Sequence, residues 1–157
     1  MSRTILSHNA AGRYFATVTH SVSIDAPASA VWKEISNFVG LTEWVVDVKR
    51  TEFLSKIRHG VGTARRISFS DGSNVTEYAV GWQDGKLVSY IATSGLPLDG
   101  YHATLSISQK EKTHLSWTSF LISNSSDKKQ FEEFLAFIES FYANSLKNLK
   151  SKLEKAS

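Results

Sequence analysis

The segment 127–154 holds neither glycine nor proline. Its apolar residues recur at helical spacing: Phe131, Phe134, Leu135, Ile138, Phe141, Tyr142, Leu146, Leu149 and Leu153. That periodicity predicts one long helix with one apolar face. A helix of that length runs about 42 Å. Asp127, with Gln130 three residues later, has the form of an N-terminal capping box. Glu132, Glu133 and Glu139 come early, while Lys147, Lys150, Lys152 and Lys155 come late, which complements the helix dipole. The lysines are expected to form a solvated face.

The chain before this helix has a different period. Residues 16–24 alternate and are rich in Val and Thr, which reads as a strand. Asp25-Ala26-Pro27 ends it, and 28–37 carries Val31, Trp32 and Ile35 at helical spacing behind a first-turn proline. A second short helix is expected over 38–44. Six strands follow at 46–54, 63–69, 75–82, 87–93, 101–108 and 114–123, separated by turn signals such as Asp71-Gly72 and Asp84-Gly85. Strands at hairpin spacing make an antiparallel meander.

Layer counting then gives the architecture. The class is α+β: a seven-stranded curved antiparallel sheet around a long C-terminal helix, with two short helices after the first strand. One helix is narrower than such a sheet, so the sheet must curl around it. A curled sheet around one helix encloses space, and an internal cavity is the central expectation.

Composition removes other classes. There is no cysteine, so disulfides, thiolate zinc sites and cysteine nucleophiles are excluded. A net charge of +3 is too mild to argue for nucleic acid. His8, His20, His59, His102 and His114 show no metal-ligand spacing, and no phosphate loop, dinucleotide fingerprint or nucleophile elbow occurs. No metal and no cofactor are expected. No run of about 18 apolar residues exists, so no membrane span is expected. The start lacks a signal-peptide core. Residues 1–15 are read as a loosely held arm and 16–157 as a single ligand-binding domain. The expected setting is cytoplasmic, as a monomer or weak homodimer.

Strand alternation phases part of the interior. Tyr101, Ala103, Leu105 and Ile107 form the apolar face of their strand, and Arg65, Ile67 and Phe69 share a face of theirs. The strands at 75–82, 87–93 and 114–123 fit either phase. If Glu77 points inward, Arg65 on the neighbouring strand is its natural partner. Tyr90, Tyr101, Trp117, Phe134, Phe137, Phe141 and Tyr142 form an aromatic set suited to lining a pocket, with tyrosine hydroxyls as polar handles.

The stretch SIDAPASAVWKEISNFVGLTEWV resembles the start of the polyketide cyclase/dehydrase and lipid-transport family. That family lies within the SRPBCC, START-related, Bet v 1-like superfamily of helix-grip fold. GVGTARRISFSDGSNVTEYAVGWQDGKLVSYIATSGLPLDGYHATLSI and LSWTSF extend the resemblance over about 16–154. Within the superfamily the chain looks nearest to bacterial relatives of the plant abscisic-acid receptors. The resemblance implies that Glu77 is a cavity glutamate and that Val75, Glu77 and Ala79 point inward. It implies the same for Val88, Tyr90 and Ala92, places Phe137, Phe141 and Ser145 on the cavity side of the long helix, and sets Trp44 at the cavity mouth. It departs at the receptors' Ser-Gly-Leu-Pro gate. Ser70-Asp71-Gly72-Ser73 stands there, while Ser94-Gly95-Leu96-Pro97 follows the fifth strand, so a hormone-receptor role does not carry over.

The expected ligand-binding residues are therefore Trp44, Arg65, Ile67, Phe69, Glu77, Ala79, Tyr90, Ala92, Tyr101, Ala103, Trp117, Phe134, Phe137, Phe141 and Ser145. The expected function is binding of a small hydrophobic or amphipathic molecule, such as a lipid, polyketide or aromatic metabolite. The alternative is a polyketide cyclase/aromatase or dehydratase, with Glu77 as the best catalytic candidate.

Overall fold

In the computed structural model, which describes residues 2–8 and 12–156, eight strands join into one antiparallel sheet. They are β1 (Ser2–His8), β2 (Tyr14–Ile24), β3 (Val48–Phe53), β4 (Ala64–Phe69), β5 (Asn74–Gln83), β6 (Leu87–Ser94), β7 (Leu98–Gln109) and β8 (Thr113–Ser123). The order across the sheet is β1-β2-β8-β7-β6-β5-β4-β3. Helix α1 (Ala28–Ser36) and a 3₁₀ turn (Leu41–Glu43) lie between β2 and β3, and helix α2 (Lys128–Lys155) ends the fold. The second of the two expected short helices is thus a single 3₁₀ turn.

The strand count exceeds the expected seven by one. The segment read as a loose arm supplies β1, which pairs with β2 from Ser2↔His20 to His8↔Tyr14. Without it β2 would be a bare edge, whose unpaired backbone groups attract any extended segment nearby. The opposite edge, β3, carries Lys49, Arg50 and Glu52, charges that discourage further pairing.

The buried face of the sheet follows the alternation. Val75, Ala79, Val88, Tyr90, Ala103 and Leu105 are buried, as are Leu115, Trp117 and Leu121 of β8, which settles the phase left open for that strand. The other face holds Tyr78, Val80 and Phe120, all exposed. Helix α2 forms where its periodicity places it, and the Asp127 carboxylate accepts the Gln130 amide at 3.0 Å. Two late lysines do more than solvate a face. Lys150 donates to the Ser23 carbonyl at 2.6 Å, and Lys152 reaches Glu34 of α1 at 2.9 Å.

Candidate functional site

Between the sheet and the first half of α2 the molecule is not filled. A pocket of about 660 Å³ lies there. Its wall includes fully buried Tyr90 and also exposed Asp71, Gly95 and Phe137, so it runs from the interior to a mouth. Of the expected residues, Trp44, Arg65, Ile67, Phe69, Glu77, Tyr90, Tyr101, Trp117, Phe134, Phe137 and Phe141 line it.

Ala79, Ala92, Ala103 and Ser145 do not reach the wall. Ala79 and Ala103 stand directly opposite Tyr90 on the two neighbouring strands, and Ser119 follows in the same row. These short side chains are buried beside Tyr90, which does line the pocket. Ala92 is opposite Glu77 and half-buried. The Ser145 hydroxyl accepts the Val46 amide at 3.1 Å, which ties the turn after Trp44 to α2.

The inner end is polar. Arg65 and Glu77 face each other across β4 and β5, with only 4% and 5% of their surfaces exposed. Arg65 donates from Nε to Glu77 Oε1 at 2.9 Å, and Nη2 lies 2.7 Å from the same oxygen. Nη1 donates to the Phe38 carbonyl at 2.9 Å. The guanidinium lies 3.8 Å from the Phe38 ring centroid and 5.0 Å from that of Tyr90. Stacking between rings suits the planar, weakly hydrated cation. Burial pushes the Glu77 carboxyl above its usual range, and the Arg65 charge and hydrogen bond oppose that shift.

A second polar cluster runs beside this pair. Trp117 Nε1 donates to the Tyr90 hydroxyl at 2.9 Å, and the Tyr101 and Tyr142 hydroxyls hydrogen-bond each other. Trp117 stacks on Tyr142 with centroids 4.1 Å apart. Burial raises all three phenols above their ordinary value, so they remain neutral hydrogen-bonding groups. His102 is exposed on the other face. Among the described residues no group of three or more His, Asp or Glu is placed to hold a metal.

Trp44, set at the mouth by the resemblance, is instead buried against Trp117, 2% exposed. The wall also takes Leu41, Val45, Asp47, Ser70, Ser73, Leu96 and Pro97, none of them expected and all outside the strands and α2, where periodicity gives no signal. Asp47 takes φ 59°, a turn conformation that aspartate tolerates, and its carbonyl accepts from the Ser70 amide at 2.9 Å. Gly95 has φ 97°, and a Cβ there would sit 2.0 Å from the Asn74 carbonyl oxygen. Only glycine lets the loop after β6 approach the start of β5 at that distance.

A curved antiparallel sheet gripping a C-terminal helix, with a pocket between them, is the helix-grip architecture. The chain belongs to the polyketide cyclase/dehydrase and lipid-transport family, whose model matches residues 16–154. Solved structures share the fold at low identity. XoxI from Bacillus cereus is 20% identical with a TM-score of 0.75, over 87% of this chain and 94% of that one. The Zhui aromatase/cyclase from Streptomyces sp. R1128 is 16% identical with a TM-score of 0.77, over 90% and 94%. The major latex-like protein 151 from Panax ginseng is 9% identical with a TM-score of 0.71, over 88% and 97%. No curated protein matches the chain. Among the described residues no helix is long and apolar enough to cross a membrane.

Proposed function

We propose that the chain binds one small hydrophobic or amphipathic molecule, of the lipid, polyketide or aromatic-metabolite kind, beneath the first half of α2. The observation that carries this reading is the pocket itself: about 660 Å³ walled by Trp44, Phe69, Trp117, Phe134 and Phe141, with a buried polar group at the inner end formed by Arg65 and Glu77. Volumes of this size suit a small molecule, and removing apolar surface from water supplies most of the affinity. Native mass spectrometry of the protein purified from its own host should show a mass excess that denaturation releases. Titration with the uncharged fluorophore N-phenyl-1-naphthylamine should saturate at one equivalent. Protein that carries no ligand and takes up no fluorophore contradicts the reading.

A second reading is favoured by one feature. A buried carboxylate with a raised pKa is a better proton acceptor than a solvated one. Glu77 would then act as a base in a cyclase or dehydratase reaction on the bound molecule. Glu77→Gln would remove turnover while leaving binding in place; a variant that keeps turnover rules this reading out.

A further inference from the structure

The protein carries a net charge of +3, yet its pocket is lined by three carboxylates, Asp47, Asp71 and Glu77, against one guanidinium, Arg65. Hydrogen bonds from Ser73 hold the Asp71 carboxyl below its usual range, so it stays charged at the mouth. An anion entering the pocket meets a negative rim, and the cation at the inner end is already neutralised by Glu77 at 2.7 Å. A ligand carboxylate would be buried beside the Glu77 carboxylate, and like charges sharing a low-dielectric site repel strongly.

The inner end does offer hydrogen bonds. Both contacts from Arg65 go to Glu77 Oε1, and Oε2 has no protein partner among the described residues. Oε2 is not sealed off, since Glu77 lines the pocket and the fully buried unpartnered side-chain atoms are Trp44 Nε1 and Ser119 Oγ. The Tyr90 oxygen already accepts from Trp117, which leaves Tyr90 as a donor. Tyr90 and Glu77 are grouped around one guanidinium, which lies 5.0 Å from the Tyr90 centroid.

Resting on the reading that a small molecule occupies this pocket, we propose that its polar group is an uncharged hydroxyl, of an alcohol or a phenol. The hydroxyl donates to Glu77 Oε2 and accepts from the Tyr90 O–H. A carboxylate offers no proton to Oε2. An ammonium offers no lone pair to Tyr90. An ether accepts but cannot donate. The pocket therefore discriminates by polar group and tolerates variation in the apolar body, which between the inner end and the rim meets rings and aliphatic side chains such as Trp117, Phe141, Leu105 and Ile138.

The test uses displacement of N-phenyl-1-naphthylamine from the full chain at neutral pH by four molecules of similar length: 1-octanol, 1-methoxyheptane, octanoate and octylamine. Octanol is expected to displace the probe about tenfold better than the ether, the difference that one hydrogen bond to a charged acceptor makes. It is also expected to outperform octanoate and octylamine. In Glu77→Gln the freed Arg65 should accept a carboxylate, so octanoate gains on octanol. Tyr90→Phe should weaken octanol more than it weakens the ether, each measured against the variant's own probe affinity, which keeps the proposal open to refutation if Glu77→Gln fails to fold. An ether, acid or amine equal to octanol in the wild-type protein overturns the proposal while the pocket reading stands. Absence of probe binding, with no octanol binding by calorimetry, removes the pocket reading and this proposal with it.

Discussion

The two halves of α2 face the same sheet and do opposite things. In the C-terminal half, Tyr142, Leu146 and Leu149 are fully buried and Leu153 nearly so, and none of them lines the pocket. In the N-terminal half, Phe134, Phe137, Ile138 and Phe141 form the pocket roof, and Phe137 remains 57% exposed. Branched aliphatic side chains interdigitate to crystal-like density. Flat rings at Phe134, Phe137 and Phe141 pack on one another instead, with centroids 5.9 Å apart for each neighbouring pair. They cover the space below without filling it. One helix thus anchors the fold at one end and roofs a pocket at the other.

The largest effect expected from this contrast is on stability in the anchored half. Leu149→Ala should cost about 2–5 kcal/mol, as large-to-small changes at fully buried positions do. It should leave fluorophore affinity unchanged, and denaturant unfolding with a parallel titration checks both. A fall in affinity as large as that of a roof variant would erase the distinction between the halves.

Next in size is the mouth. Gly95→Ala places a methyl against the Asn74 carbonyl at a positive φ and should cost about 1–3 kcal/mol. Thermal unfolding measures it, and an unchanged midpoint would mean that the loop after β6 does not meet the start of β5 as described.

The Arg65–Glu77 pair sharpens the comparison through pH. Burial raises the Glu77 carboxyl in the folded state only. Its contribution is therefore fully present below the usual carboxylate range and is lost as pH climbs from that range through the raised value, by at most about 1.4 kcal/mol per pH unit. Urea midpoints of the wild type minus those of Glu77→Gln should fall as pH climbs from the usual carboxylate range toward neutrality. A difference that rises with pH would show that Arg65 outweighs burial.

The smallest stability effect belongs to the roof. Phe137→Ala removes a side chain that is more than half solvated and should change stability by about 0.5 kcal/mol or less. The same variant should still weaken fluorophore binding measurably, because its ring closes the mouth side of the pocket.

Legibility in the sequence followed periodicity. Helix α2, the Asp127 cap and the inward phase of Tyr101 and Leu105 rest on spacing along one element, while the pairing of Arg65 with Glu77 needs the family resemblance to settle which way Glu77 points. Strand β1 did not show, because SRTILSH becomes a strand only by completing the edge that β2 offers. The mouth residues Asp47, Leu96 and Pro97 did not show either, since loops carry no period and their positions depend on how β3, β4 and β7 end. Ala79 and Ala103 have the right phase and the wrong reach: phase tells which way a side chain points, and a single methyl on those strands does not extend to the pocket wall.

The central claim is that the space under the first half of α2 is open to a guest. Amide and side-chain NMR shifts during titration with N-phenyl-1-naphthylamine test it most directly. Changes should saturate at one equivalent, cluster on Tyr90, Tyr101, Trp117, Phe134 and Phe141, and spare Leu146, Leu149 and Leu153. Shifts confined to the outer face at Tyr78, Val80 and Phe120, or no saturable shift at all, would contradict it.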